Sequence, residues 1–352
     1  MKQFSSFFDH DEPDIIAAYR QKARDELGDA FEFPSFRYSS FVNMRLPAFS
    51  LSAIPKNPEV SVDVSSDKRE AIEVTPGIAG LSEELFTTLV ARFDGYHAKD
   101  GLDALHDAFL NHATIVKLPD NAVFDTPVKI TLDSGSETIF STLFIIGGKN
   151  TKAQLVINRK ASSIEDSKYS STEDSKYIST RTCILAQDGA HIDTIIVQGY
   201  DGSTVATERN VIIADKDAAV NTTEICIGGA YAKSDFYAEL AGEGADSNMK
   251  VLYLTTGKQK HNIHTQSRHH APNTTSDIVT KGVIADKAKA LATGNVCIRE
   301  NAFTSNGYET QSALLLSDTA EADAIPNLEI HNHDVKCSHG STIGQLDKEQ
   351  LF

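Results

Sequence analysis

The chain has 352 residues, 40% of them hydrophobic, which is enough for one large or two ordinary domains with a sizeable core. Its 49 acidic and 33 basic residues give a net charge of −16, which argues against nucleic acid or an anionic membrane as a partner. No apolar run approaches the roughly 20 residues that span a bilayer, and no signal-peptide pattern opens the chain. We therefore expect a cytoplasmic protein.

The four cysteines lie far apart in the chain and form no CxxC pair. This spacing is typical of a reducing compartment and not of a disulfide framework. No GxxxxGK[ST] motif occurs, so we do not expect the chain itself to hydrolyse ATP.

Helical patterns are confined to the first third of the chain. Apolar residues recur at helical spacing over residues 15–27, and Gly28 follows as a stop signal. Further helices are predicted at residues 82–92, with Ser82 as the capping residue, and at residues 102–112. We expect residues 1–112 to form a small mixed helical or α/β amino-terminal domain.

From Ala113 onward, many short β-rich runs alternate with turn residues. A repeat becomes visible when the runs are aligned, since the turn alanines Ala190, Ala218 and Ala245 recur with a period of about 28 residues. Such a unit cannot bury its apolar face alone, so neighbouring units must stack. The sequence predicts a mainly β solenoid over residues 113–352, with a sandwich of hairpins as the alternative.

Two segments within the solenoid draw attention for their composition. A polar tandem copy, EDSKYSST followed by EDSKYIST, occupies residues 165–180 and is predicted to project as a loop without a site. Four histidines, His261, His264, His269 and His270, could act as ligands. We favour a structural interpretation, in which they hydrogen-bond to neighbouring turns.

The densest group of metal-ligating residue types lies near the end of the chain. His331, His333, Cys337 and His339 fall at alternate positions, so a fully extended segment would place them on one face. Imidazole and thiolate groups bind iron, zinc or an iron–sulfur cluster. The spacing matches no known zinc motif, so a polar edge strand remains the alternative.

Residues 334–352, DVKCSHGSTIGQLDKEQLF, resemble the carboxy-terminal signature of the SufB/SufD family of iron–sulfur cluster assembly proteins. Residues 261–286 contain the HxxP and S-x4-KG pieces typical of that family. SufB-type chains have a cysteine after TQ and a glutamate after the signature histidine, whereas this chain has Ser312 and Gly340. It is therefore similar to SufD-like members, over roughly residues 105–352.

The resemblance implies a right-handed parallel β-helix and a non-enzymatic scaffold subunit that forms a heterodimer with a SufB-like chain. It implies that His339 and Cys337 serve as ligands for iron or a nascent cluster at that interface, the iron or cluster being transient and not necessarily retained by the isolated chain. His331 and His333 are at most alternative iron ligands, and His333 stands where the family usually has an acidic residue.

The family usually continues into a helical module that contacts a SufC-like ATPase, whereas this sequence stops at Phe352. Binding to that ATPase is therefore doubtful for this chain, although pairing through the β-helix is still expected. For the isolated chain, a homodimer through the same surface is a further expectation.

Two other classes of function compete with the scaffold interpretation. A β-helix enzyme acting on carbohydrate could draw acids from the turn residues Asp188, Asp217 and Glu243, but Trp is absent and the signature would go unexplained. A standalone metal-binding protein would hold stoichiometric metal in isolation, whereas a scaffold would bind it weakly or only with its partner.

Overall fold

The computed structural model describes residues 14–27, 60–96, 100–134, 138–161 and 177–345. The aromatic-rich stretch at residues 31–49, most of the tandem EDSKY segment and the last seven residues of the signature lie outside the described residues.

Three α-helices occur in the described part of the first third: α1 (Asp14–Leu27), α2 (Glu83–Asp94) and α3 (Gly101–Phe109). The predicted cap of α2 is confirmed, since the Ser82 hydroxyl accepts a hydrogen bond from the Leu85 backbone N–H at 3.3 Å. Asp100 caps α3 in a reciprocal capping box with Asp103.

Strands make up most of the remaining described chain. They are β1 (Ser61–Ser65), β2 (Glu73–Pro76), β3 (His112–Leu118), β4 (Val128–Asp133), β5 (Ile139–Gly147), β6 (Lys152–Ala161), β7 (Tyr177–Ala186), β8 (His191–Tyr200), β9 (Val205–Ala214), β10 (Ala219–Gly228), β11 (Tyr231–Leu240), β12 (Asp246–Thr255), β13 (Lys260–His269), β14 (Thr275–Ile284), β15 (Lys289–Ile298), β16 (Ser305–Leu315), β17 (Glu321–Ile330) and β18 (Val335–Gln345).

These strands form two nine-stranded sheets that face each other. Sheet A has the order β1-β4-β6-β8-β10-β12-β14-β16-β18, and sheet B has the order β17-β15-β13-β11-β9-β7-β5-β3-β2. From β3 onward, consecutive strands alternate between the sheets and pair in parallel with the strand two positions away. The chain therefore winds as a parallel β-solenoid of about seven turns, as predicted.

The repeat seen in the sequence corresponds to the corners of this solenoid. Ala190, Ala218 and Ala245 directly precede β8, β10 and β12, and all three are fully buried. All three belong to the apolar cluster between the sheets, where close packing leaves room for a small side chain. Asp217 occupies a left-handed conformation at one such corner, with a φ of 54°.

The space between the sheets contains two apolar clusters, one in the early turns and one in the late turns. On the outer face of sheet B, Phe86 and Phe93 of α2 pack against Phe144 of β5. Buried ion pairs tie α3 to the same face, including Arg181 with Asp107 at 2.6 Å.

The first third of the chain also contributes strands to the solenoid. β1 pairs antiparallel with β4 at the end of sheet A, and β2 pairs antiparallel with β3 at the end of sheet B. These two strands cover the hydrogen-bonding edges of the first turn. The division of the chain at residue 113 into two domains stays a prediction.

Candidate functional site

The last turn of the described solenoid consists of β17, a corner at residues 331–334, and β18. These two strands lie at the edges of sheet B and sheet A in the described part of the chain. β18 pairs with β16 along its whole length, so its other edge is free of strand pairing among the described residues.

The signature residues of β18 lie on the side of the strand that faces the space between the sheets. Cys337 is half-buried and packs against the late apolar cluster, opposite Gly307 of β16 in the strand register. Because side chains alternate along a strand, His339 lies on the same side as Cys337. His339 is exposed, and its register partner in β16 is Glu309.

The Cys337 thiol is not intrinsically activated. Partial burial, together with the nearby Glu309 carboxylate, raises its pKa to about 11. At neutral pH it is therefore a protonated thiol, which must lose a proton before it can bind iron.

Glu309 is the group at this site that the sequence reasoning missed. Its carboxyl group is almost fully buried between the sheets, and this burial raises its pKa to about 7. Gln311 Nε2 donates a hydrogen bond to Glu309 Oε1 at 2.8 Å, and the Asn327 backbone N–H is a second donor. Gly294 of β15 lies against the carboxylate, where a Cβ atom would overlap Oε1.

A signal for Glu309 does exist in the sequence, but it depends on the strand register. Ser305, Gly307, Glu309, Gln311 and Ala313 occupy alternate positions of β16 and all face inward. A carboxyl group within such a row is unusual because burial of its charge is costly. Glu309 and His339 are 30 residues apart in the chain and become neighbours only through the register of β16 and β18. Periodicity alone does not specify that register.

The predicted single row of four ligands is wrong for His331 and His333. β17 ends at Ile330 and β18 begins at Val335, so the intervening residues form a corner and not an extended strand. His333 is exposed on this corner. Glu329 belongs to β17 and lies on the outer face of sheet B. His331 Nε2 is 2.9 Å from its Oε1 atom.

The four histidines at residues 261–270 are held by hydrogen bonds to neighbouring strands and corners, which agrees with their structural interpretation. The contacts are His261 Nε2 with the Gly228 carbonyl oxygen at 2.9 Å, His264 Nδ1 with Thr293 Oγ1 at 2.9 Å, His269 Nδ1 with Thr274 Oγ1 at 2.7 Å, His269 Nε2 with Ser276 Oγ at 2.9 Å, and His270 Nε2 with Glu239 Oε2 at 2.7 Å. Burial lowers the pKa of His269 to about 4, which favours its neutral form.

None of the helices in the described part of the chain is long and apolar enough to cross a membrane.

Comparison with known proteins identifies the same family as the signature. Residues 130–352 match the family described as SUF system FeS cluster assembly, SufBD core domain. The iron–sulfur cluster assembly protein SufD of Bacillus subtilis is 23% identical over the whole of this chain and 86% of its own length. SufD of Escherichia coli is 30% identical over 41% of this chain, a segment that spans 34% of that protein. A SufBD family protein of Mycobacterium tuberculosis is 29% identical over 48% of this chain and 44% of its own length.

Proposed function

The chain belongs to the SufBD core family of the SUF system, and we propose that it is a SufD-like scaffold subunit in iron–sulfur cluster assembly. In this proposal it is not an enzyme, and ATP hydrolysis takes place in a separate SufC-like partner. It acts in the cytoplasm and pairs with a SufB-like subunit through its last turn. Iron or the nascent cluster is its cargo and is bound only transiently.

The observation that carries this proposal is that the inward-facing row of side chains on β18 is not fully covered in the described structure. In the earlier described turns the following turn covers most of the inward side chains, whereas His339 is exposed in the last described turn. The imidazole of His339, the thiol of Cys337 and the carboxyl group of Glu309 are donors of the types that bind ferrous iron, and they occupy the inward rows of two paired strands. An exposed row of this kind can be shared with a second chain.

The surroundings of the row support an interface with a partner chain. No strand among the described residues pairs with the outer edge of β18, and such an edge favours strand-to-strand association. Four large apolar side chains of the last turns are at least 42% exposed: Phe303, Leu316, Ile330 and Ile343. Exposed apolar groups beside a free strand edge are typical of a surface that a partner covers.

The three groups of the site take different roles in the proposal. Neutral imidazole binds ferrous iron and releases it on protonation, so His339 is the primary ligand. Cys337 is the companion ligand, because a thiolate binds iron and cluster intermediates once its proton has left. Glu309 is the register partner of His339 in β16, and its buried carboxyl group sets the electrostatic environment of the Cys337 thiol.

The test is cluster formation in a complex of this chain with its SufB-like partner. Bound iron and sulfide are followed by absorbance, and assembly of the complex is checked by size-exclusion chromatography. We expect His339→Ala to lose most of the cluster while the complex stays intact, and Cys337→Ala to lose part of it. His333→Ala, at the exposed corner next to the site, is the matched control and is expected to retain the cluster.

Unchanged iron and sulfide in both His339→Ala and Cys337→Ala would refute the ligand assignment. The chain would then be a structural subunit whose partner provides all the ligands. Failure of the chain to form any complex with a SufB-like partner would instead refute the heterodimer itself.

A further inference from the structure

A second group of metal-ligating side chains lies on the outer face of sheet B near the same end of the solenoid. Cys297 of β15, Glu329 of β17 and His331 of the corner offer ligand atoms that all lie within 4.8 Å of one another. Val296 and Ile298 belong to the apolar cluster between the sheets. By alternation along the strand, Cys297 therefore faces outward, away from the interior that His339 and Cys337 adjoin.

The backbone brings these three residues together without help from a ligand. Cys297 and Glu329 are direct partners in the parallel register of β15 and β17. The His331 backbone N–H donates to the Ile298 carbonyl oxygen at 2.9 Å, which extends this pairing one residue beyond the end of β17. The imidazole is then oriented by the contact of its Nε2 with Glu329 Oε1 at 2.9 Å.

We propose that Cys297, Glu329 and His331 form an open three-ligand site for a divalent transition metal such as Fe²⁺, Co²⁺ or Zn²⁺. A thiolate, a carboxylate and an imidazole together select borderline metals over Mg²⁺ and Ca²⁺, which prefer oxygen ligands alone. This inference stands independently of the scaffold function proposed above.

The geometry requires only a small adjustment. Ligand atoms of a tetrahedral site lie about 3.5 Å apart, given metal–ligand bonds of about 2.0–2.3 Å. The side chains of Glu329 and His331 are each 43% exposed, so they can move by the remaining distance of about 1 Å. Their exposure also leaves a fourth position open to water or to an incoming ligand.

Two arginines lie near the site. Arg268, the register partner of Cys297 in β13, is paired with the buried carboxylate of Glu239 at 2.7 Å. Arg299 Nη1 approaches Glu329 Oε1 at 3.8 Å, and its side chain is 46% exposed, so solvent can take over its charge when a metal binds. Cys297 provides the thiol, whose proton must leave on binding. With the Cys297 thiol and the Glu329 carboxyl group both ionised, the site contributes two negative charges to a divalent ion.

Cobalt titration of the reduced, full-length chain tests this site. We expect wild type to bind a single equivalent of Co²⁺ with a thiolate-to-metal charge-transfer band. Cys297→Ser should abolish the band, and His331→Ala should weaken Co²⁺ binding by at least about tenfold. Cys183→Ser is the matched control, because it removes a thiol buried beneath α2 that belongs to neither proposed site, and it should leave the band unchanged.

Three results would overturn the proposal. No charge-transfer band in wild type would mean that the cluster is only a set of hydrogen-bonded side chains. A band that survives Cys297→Ser and disappears in Cys337→Ser would move the metal to β18. Cys297 is buried, so its variant could fail to fold. His331 is exposed, so His331→Ala provides an independent test, and unchanged Co²⁺ affinity in that variant would contradict the site.

Discussion

The last two strands of sheet A occupy equivalent places in successive turns, but they differ in what covers them. The inward row of β16 is closed off by β18 and contains the buried Glu309. The inward row of β18 contains Cys337 and His339, and the latter is exposed. The same strand geometry therefore yields a buried carboxyl group of raised pKa in one turn and an exposed imidazole in the next.

The comparison extends to ion pairs. In the covered turns, Arg159 Nη1 lies 3.1 Å from Glu208 Oε1, with both side chains at most 2% exposed. At the open end of the solenoid, Arg299, which follows β15, and Glu329 of β17 are 3.8 Å apart and nearly half exposed. Covered turns therefore contain charges that only their partners stabilise, whereas solvent also stabilises the charges at the open end.

The largest expected effect comes from breaking the covered ion pair. Arg159→Met should lower the free energy of unfolding by about 3–5 kcal/mol, because it leaves the Glu208 carboxylate buried without its counter-charge. The same substitution at the exposed pair, Arg299→Met, should cost about 0–1 kcal/mol. Urea unfolding of both variants measures the difference, and equal losses of stability would contradict the comparison.

The second effect is a pH dependence that originates from Glu309. Burial raises its pKa from 4.5 to about 7 in the folded protein, so between these values the folded state binds more protons than the unfolded state. Wild-type stability is therefore reduced as pH rises from about 4.5 to 7, by on the order of 2–3 kcal/mol from this group.

Glu309→Gln removes this contribution while keeping the shape of the side chain. We expect the variant to become more stable relative to wild type as pH rises through that window, as measured by urea midpoints at several pH values. Glu300→Gln, at an exposed position, is the control and should change stability by no more than about 0.5 kcal/mol throughout. A Glu309→Gln difference that does not depend on pH would show that Glu309 is more accessible than the covered row implies.

The smallest expected effect on stability comes from replacing Gly294 of β15 or Gly340 of β18 with alanine. A Cβ atom at Gly294 would overlap the Glu309 carboxylate, so Gly294→Ala should destabilise by about 1–3 kcal/mol. A Cβ atom at Gly340 of β18 would meet nothing within 4 Å, so Gly340→Ala should change stability by no more than about 0.5 kcal/mol. Thermal unfolding of the two variants compares the covered turn with the open one.

Much of the fold could be predicted from local patterns. The cap at Ser82, the β-rich character after Ala113 and the corner alanines were all recognisable, because each depends on residues close together in sequence. The ligand row was predicted less well, because the corner between β17 and β18 interrupts the alternation that was assumed to continue from His331 to His339. The roles of His339 and Cys337 themselves stay predictions.

The sequence by itself determined the solenoid repeat and the family, since periodicity and a long specific motif are properties of the chain alone; for His339 and Cys337 it provided a prediction. Only the tertiary structure decided that Glu309 lies beside His339 and that Cys297 meets Glu329. The physical reason is that each solenoid turn pairs residues about 30 positions apart. The length of every corner therefore sets which residues become neighbours on adjacent strands. Whether a side chain is buried depends on whether a following turn covers its own turn.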